Sequence, residues 1–128
     1  MPTRESSIVF RPGLIGEVEL KNRLVRSATF ENAASQKGEV TETLVDVHRN
    51  LAKGGVGLII TGIMGVHPKA TGRGRVRIYD DAFTHGLERI PKAVHNLAND
   101  CKIMAQLYHP GRQVLPRNMA NFLQYFPP

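Results

Sequence analysis

The sequence predicts an α/β fold built on a parallel sheet, on three observations. Apolar segments rich in branched side chains alternate with stretches whose apolar residues recur at helical spacing, giving the order strand, helix, strand, helix, strand. One segment, VGLIITG at 56–62, is an almost unbroken apolar run, which is the pattern of a parallel strand covered on both faces. Each strand stops at small or polar residues: Ser27 to Thr29 after the first, Gly62 after the second, Gln106 after the third. Parallel strands joined by right-handed crossovers all run the same way, so these tips gather at one carboxyl edge, the usual ligand edge of α/β folds.

Taken in order, IVF at 8–10 and EVELKN at 17–22, separated by Pro12, Gly13 and Gly16, predict a short β-hairpin outside the core. LVRSAT at 24–29 is the first buried strand, followed by the polar loop ENAASQKGE. Thr41 then caps a helix with Leu44, Val47, His48 and Leu51 on one face, and Gly54 and Gly55 stop it. On that face His48 reads as a packed core histidine. After VGLIITG a loop spans 63–79, and Asp80 and Asp81 precede a second helix carrying Phe83, Leu87, Ile90, Val94 and Leu97. Pro91 lies inside that pattern and is expected to kink the helix or to mark its first turn. KIMAQL at 102–107 is the third strand, running into His109 and Arg112 through a turn made by Pro110 and Gly111.

Composition narrows the functional classes. A chain of 128 residues, 41% hydrophobic, is about one domain long and globular. No apolar run approaches the roughly 20 residues of a membrane span, and the N-terminus carries no secretory signal, so no membrane and a cytoplasmic setting are expected. The net charge is +6, but Lys and Arg are spread along the chain. The one dense group, GRGRVR at 72–77, has only Tyr79 close by, too few aromatics for base stacking, so no nucleic-acid partner is expected. A basic loop of this kind suits the approach of a phosphate-bearing ligand. The single cysteine, Cys101, opens an apolar strand and reads as a packed thiol. A dinucleotide-binding unit would need glycines between strand one and helix one, and none occurs there before Gly38. The five histidines, at 48, 67, 85, 95 and 109, are scattered without metal-ligand spacing, and no Gly-x-Ser-x-Gly elbow occurs.

The stretch NRLVRSATFENAASQKGEVTETLVDVHRNLAKGGVGLIITGIMGVHP, followed by AVHNLANDCKIMAQLYHPGRQ, resembles the N-terminal part of the old yellow enzyme family, the NADH:flavin oxidoreductases, including its dienoyl-CoA-reductase-like branch. The likeness runs from about Ile8 to Gln113, with KNRLVRSAT, LAKGGVGLIITG, AVH and QLYHPGRQ in the family's order and separation. It implies a (β/α)8 TIM barrel, preceded by a short hairpin, with FMN at the carboxyl ends of the strands. Position by position, it puts Ser27, Ala28 and Thr29 beside the isoalloxazine ring, backbone groups of Gly62 and Ile63 against the flavin, and Gln106 on its pyrimidine edge. A glutamine amide both donates and accepts, matching the carbonyl and N–H groups of that edge. His109 is expected to order its turn; Arg112 either lies near the flavin's dimethylbenzene side or pairs with a carboxylate that stiffens the loop. Ala28 stands where much of the family has proline, and no tyrosine follows strand one, which leaves the substrate open.

Residues 1–128 are therefore expected to form a single partial domain, about three β/α units of a barrel that needs roughly 250 residues. The implied activity is hydride transfer from NAD(P)H through FMN to an activated alkene or similar small-molecule acceptor. The family's catalytic groups and phosphate-binding groups come from later strands, so no catalytic residue is assigned here and the chain is expected to be incomplete for catalysis. The alternative is a non-catalytic half-barrel whose open strand edges pair with a second copy or a complementing chain.

Overall fold

The computed structural model describes residues 7–113 apart from positions 71 and 99. The FLQYFPP segment, expected to lead onward from the third unit, lies outside the described residues.

Strands β1 (Gly13–Ile15) and β2 (Val18–Leu20) form an antiparallel hairpin. Ile8–Phe10, expected as its first arm, is instead a turn of 3-10 helix, and Gly13, expected in the turn, pairs with Leu20. The reason is local: Gly16 at φ +58 makes a tight two-residue connection, which fixes the three residues before it as the partner strand. The hairpin is clasped to the amino end of the main sheet. Buried Asn22 donates from Nδ2 to the Gly55 carbonyl (2.8 Å) and accepts the Leu24 N–H (3.1 Å), while Lys21 Nζ reaches Asp100 at 2.8 Å. That lysine holds the Asp100 carboxyl below its ordinary range.

The main sheet contains β3 (Val25–Arg26), β4 (Leu58–Gly65), β5 (Val76–Arg77) and β6 (Lys102–Tyr108), all parallel. Strand β4 is the centre. Leu58 and Ile59 pair with both β3 and β6, and Met64 and Gly65 pair with both β5 and β6. A strand has two edges, so β3 and β5 share one edge of β4, at its start and its end, and β6 occupies the other. Two boundaries differ from the sequence reading. The first strand keeps ladder pairing for two residues only, because the chain beyond Arg26 turns to local hydrogen bonds; β4 runs on to Gly65, into the expected loop. The GRGRVR segment likewise ends in a short strand, since Val76 packs into the core.

Helices α1 (Glu42–Lys53) and α2 (Thr84–His95) follow β3 and β4. Thr41 caps α1 as expected, accepting the Leu44 N–H, and the chain leaves it through Gly55 at φ +86. Its buried face is Leu44, Val45, His48 and Ala52, with Val47 and Leu51 only half-buried, a stripe rotated slightly from the expected one. Helix α2 runs through Pro91, buries Ile90 and Val94, and starts after a 3-10 turn capped by Asp80; Leu97, expected on its face, lies beyond its end and is exposed. Because the strands add in one direction, right-handed crossovers place both helices on the same face. The core lies between that face and the helices, in one cluster around Leu44, Val45, Met64, Val76 and Ile90 and another around Ala52, Ile59, Val94 and Cys101. Among the described residues no helix covers the opposite face, and none is long and apolar enough to cross a membrane. Helices on one face only is the arrangement of a barrel wall, not of a doubly wound sheet.

Two outcomes follow from this packing. Ile59→Ala, at a fully buried site of the central strand, is expected to lower unfolding stability by about 2–5 kcal/mol, read from urea denaturation. Burial pushes the Cys101 thiol up, so little thiolate forms at neutral pH, and a thiol reagent is expected to label it only as fast as the chain unfolds.

Candidate functional site

The carboxyl edge of the sheet gathers the tips of β3, β4 and β6. Opposite Ala105 of β6, strand β4 carries one extra residue: Ile60 pairs with Met104 and Ile63 with Gln106. This is a β-bulge at Thr61 and Gly62, and it would leave the Gln106 amide without a ladder partner. The Thr61 hydroxyl fills that gap, accepting the Gln106 N–H (3.2 Å) while donating to the Gly62 carbonyl (2.9 Å). A threonine therefore stitches the bulge shut and fixes β6 beside β4 where the two strands end.

Gly62 is enclosed by the segment that follows β3. Its N–H donates to Glu31 Oε1 at 3.2 Å, and a Cβ built on it would lie 2.0 Å from Glu31 Oε2 and 2.7 Å from the Thr29 carbonyl. Only glycine lets the Glu31 carboxylate and the Thr29 backbone come so close. Behind Glu31 stands His48, 1% exposed. Its Nδ1 lies 2.8 Å from the Leu44 carbonyl, which can only accept, so Nδ1 carries a proton. Its Nε2 faces Glu31 Oε1 at 3.9 Å and has no hydrogen-bond partner among the described residues. His48 is packed, as the sequence predicts, but it also backs the carboxylate that holds the β4 tip. Glu31 is the residue that sequence reasoning missed; its signal was an acid two residues beyond a strand tip in an otherwise neutral stretch.

Four of the sequence-derived positions, Thr29, Gly62, Ile63 and Gln106, come together. Ile63 and Gln106 are register partners, Gly62 adjoins both, and the Thr29 carbonyl abuts Gly62. Gly62 has both backbone groups engaged internally, its N–H by Glu31 and its carbonyl by Thr61, leaving a carbonyl lone pair to offer. Ser27 and Thr29 are exposed and Ala28 half-buried. The Thr29 hydroxyl donates to the Ser27 carbonyl (3.2 Å), so its proton is used locally. Gln106 is exposed, and among the described residues its carboxamide has no hydrogen-bond partner. His109 accepts the Gly111 N–H at Nδ1 (3.0 Å) and so orders its turn; Arg112 is exposed. Among the described residues no group of three or more His, Cys, Asp or Glu is placed to hold a metal. A carboxamide open on both its donor and acceptor sides, above apolar strand faces, fits the edge of a flat heterocycle that alternates carbonyl and N–H groups.

The chain is similar to several known proteins. The profile of the NADH:flavin oxidoreductase / NADH oxidase family matches residues 8–125. A metal reductase of Desulforamulus reducens is 39% identical over 106 residues, 83% of this chain and 15% of the relative. An NADH oxidase of Thermoanaerobacter brockii is 34% identical over 110 residues, 84% of this chain and 17% of the relative. Among solved structures, an old yellow enzyme homologue from Zymomonas mobilis superposes with TM-score 0.75 at 28% identity, covering 90% of this chain and 31% of that one. The old yellow enzyme from Trypanosoma cruzi gives TM-score 0.72 at 29% identity, covering 89% and 30%. The fold is thus that of the N-terminal part of a β/α barrel, and the chain spans 15–17% of the length of those two sequence relatives.

The Glu31–Gly62 contact gives a graded expectation. Glu31→Gln keeps an acceptor for the Gly62 N–H and is expected to change stability little. Glu31→Ala strands that N–H and is expected to cost about 1–3 kcal/mol. In amide hydrogen exchange Gly62 should stay protected in the first variant and lose protection in the second.

Proposed function

Because the chain belongs to the NADH:flavin oxidoreductase / NADH oxidase family, we propose that it forms the first part of an FMN-dependent oxidoreductase site of the old yellow enzyme type. When bound, FMN supplies hydride transfer from NAD(P)H to a small-molecule acceptor, an activated alkene or a similar electron-poor group. The observation that carries this reading is the open Gln106 carboxamide, registered against Ile63 beside the Gly62 bulge.

In this reading Gln106 holds the pyrimidine edge of the flavin, donating from its NH2 and accepting at its carbonyl. The backbone at Gly62 and Ile63 closes the cradle from β4, and Ser27, Ala28 and Thr29 line it from the first strand. Thr61 and Glu31 touch no ligand; they keep Gln106 and Gly62 at fixed heights. No proton donor to the acceptor is assigned among these residues. The relatives' names mention metal, NADH oxidation and, for a Rhodococcus erythropolis enzyme, a disulfide, so the acceptor differs from one to another. The chain works in the cytoplasm in this reading, where NAD(P)H is at hand and a lone thiol stays reduced.

A second reading rests on β6. It pairs with β4 alone among the described residues, and Met104 (44%) and Leu107 (63%) on it are exposed. An open apolar edge of this kind is a template for another strand, so a half-barrel that assembles with a second copy or a complementing chain is the alternative.

The purified chain incubated with FMN and gel-filtered is expected to elute with bound yellow flavin. Gln106→Ala should weaken FMN at least about tenfold in a flavin-fluorescence titration, the loss of one or two hydrogen bonds. Flavin that elutes wholly in the free fraction would remove the FMN reading. Sedimentation equilibrium separates the alternative: a monomer at every concentration is incompatible with a half-barrel that pairs with itself.

A further inference from the structure

The GRGRVR loop and the two histidines beyond the strand tips take no part in the reading above, yet they meet at the same edge. Gly65 lies under the loop that follows β4: a Cβ there would come 2.6 Å from the Ala70 carbonyl, and Ala70 is fully buried. The loop thus lies across the end of β4. It carries Arg75 to the far strand, where the guanidinium carbon sits 5.0 Å from the centre of the Tyr108 ring.

Strand alternation fixes the face. Val76 pairs with Met64 and both belong to the helix-side core; Arg75 precedes that strand, and its place is set by the Tyr108 ring it covers. Gln106 and Tyr108 pair with Ile63 and Gly65, on either side of Met64, and lie on the helix-free face. The cation is therefore held on the same face as the Gln106 carboxamide, one step further along β6. Beyond the strand tips at the same edge, where His109 follows Tyr108 directly in sequence, His67 and His109 touch edge to face with ring centroids 5.6 Å apart. His67 accepts the Lys69 N–H at Nδ1 (3.1 Å) and His109 accepts the Gly111 N–H at Nδ1 (3.0 Å), so each neutral ring carries its proton on Nε2. Among the described residues none of the three side chains forms a salt bridge to a carboxylate.

We infer that Arg75, seated over Tyr108, forms an anion site at the rim of the flavin edge, taking a carboxylate or phosphate group, with the His67–His109 pair at the same edge as its candidate second donor. The aromatic ring holds the guanidinium in place without neutralising it, so its charge and its N–H fork stay available to a planar or tetrahedral oxyanion. That the anion belongs to a redox ligand rests on the proposed flavin function; that the site binds anions does not. Two sources share this chemistry, the acceptor's own anionic end and the phosphate of FMN; the family resemblance draws that phosphate to later strands, so the acceptor is the source inferred and the flavin phosphate is an outcome of the test.

The test uses the full chain, isotope-labelled and flavin-free at low salt, titrated with succinate and with inorganic phosphate while the Arg75 Nε–H and the two histidine ring signals are followed. Saturable shifts are expected. Arg75→Met should weaken them at least about tenfold, about 1.4 kcal/mol, whereas Arg73→Met, which removes the same charge from the same loop, should change them less than about twofold. Paired His67→Gln and His109→Gln substitutions give a second route, expected to weaken the response while Arg75 is kept. Unsaturable shifts in the wild type, or a response in Arg75→Met equal to that of the wild type, would overturn the site. Comparing FMN with riboflavin in the wild type and Arg75→Met assigns the source: selective loss of FMN points to the flavin phosphate, and equal retention of both flavins points to the acceptor. If neither flavin binds while the anion shifts persist, the flavin reading fails and the anion site stands.

Discussion

The pairing of β4 on both edges is the constraint from which the rest of the molecule follows. A strand with neighbours on each side and helices over one face has no freedom to slide, since a slip of one residue would turn Ile59 out of the core and expose it. With β4 fixed, the bulge at Thr61 and Gly62 occurs at one place only. The bulge in turn decides that Ile63 meets Gln106 and that Glu31 has an N–H to hold. The candidate site is thus a local consequence of the ladder, not an addition to it.

Much of this was legible in the sequence, for identifiable reasons. The branched apolar run LIIT leaves little alternative to a buried strand, KIMA is a strand as expected but largely exposed, and Thr41 before the Leu44 stripe is a start signal read without tertiary context. The expectation that the tips of the three strands share one edge followed from strand direction, while Ile63 was named only through the family resemblance; the contact of Thr29 with Gly62 and the pairing of Ile63 with Gln106 are what the structure adds. What stayed hidden was decided by contacts between distant segments. Glu31 matters because a β4 glycine 31 residues away leaves room for it, and no local pattern records that. The hairpin was misplaced because proline and two glycines offered competing turns, and only the positive φ of Gly16 selected among them. The short strand at Val76 was missed because two residues carry no periodicity; its place is set by the core beneath it.

Charge is distributed along the axis of the strands. The described acids near the strand tips are few, and Glu31 is turned inward to a backbone amide and a histidine. Basic and N–H-bearing side chains hold the outer rim. Strand β6 is uncovered on both faces, Met104 on the helix-free side and Leu107 on the helix side, and the two sequence relatives are several times longer than this chain.

The hairpin clasp gives the molecule two poles with separate duties. Asn22 and Lys21 anchor the amino edge through Gly55 and Asp100, far from the loops that follow β4 and β6. Changes of sequence in those upper loops leave the anchoring bonds untouched. Substitutions at the carboxyl pole can accordingly change its chemistry without eroding the foundation laid at the other.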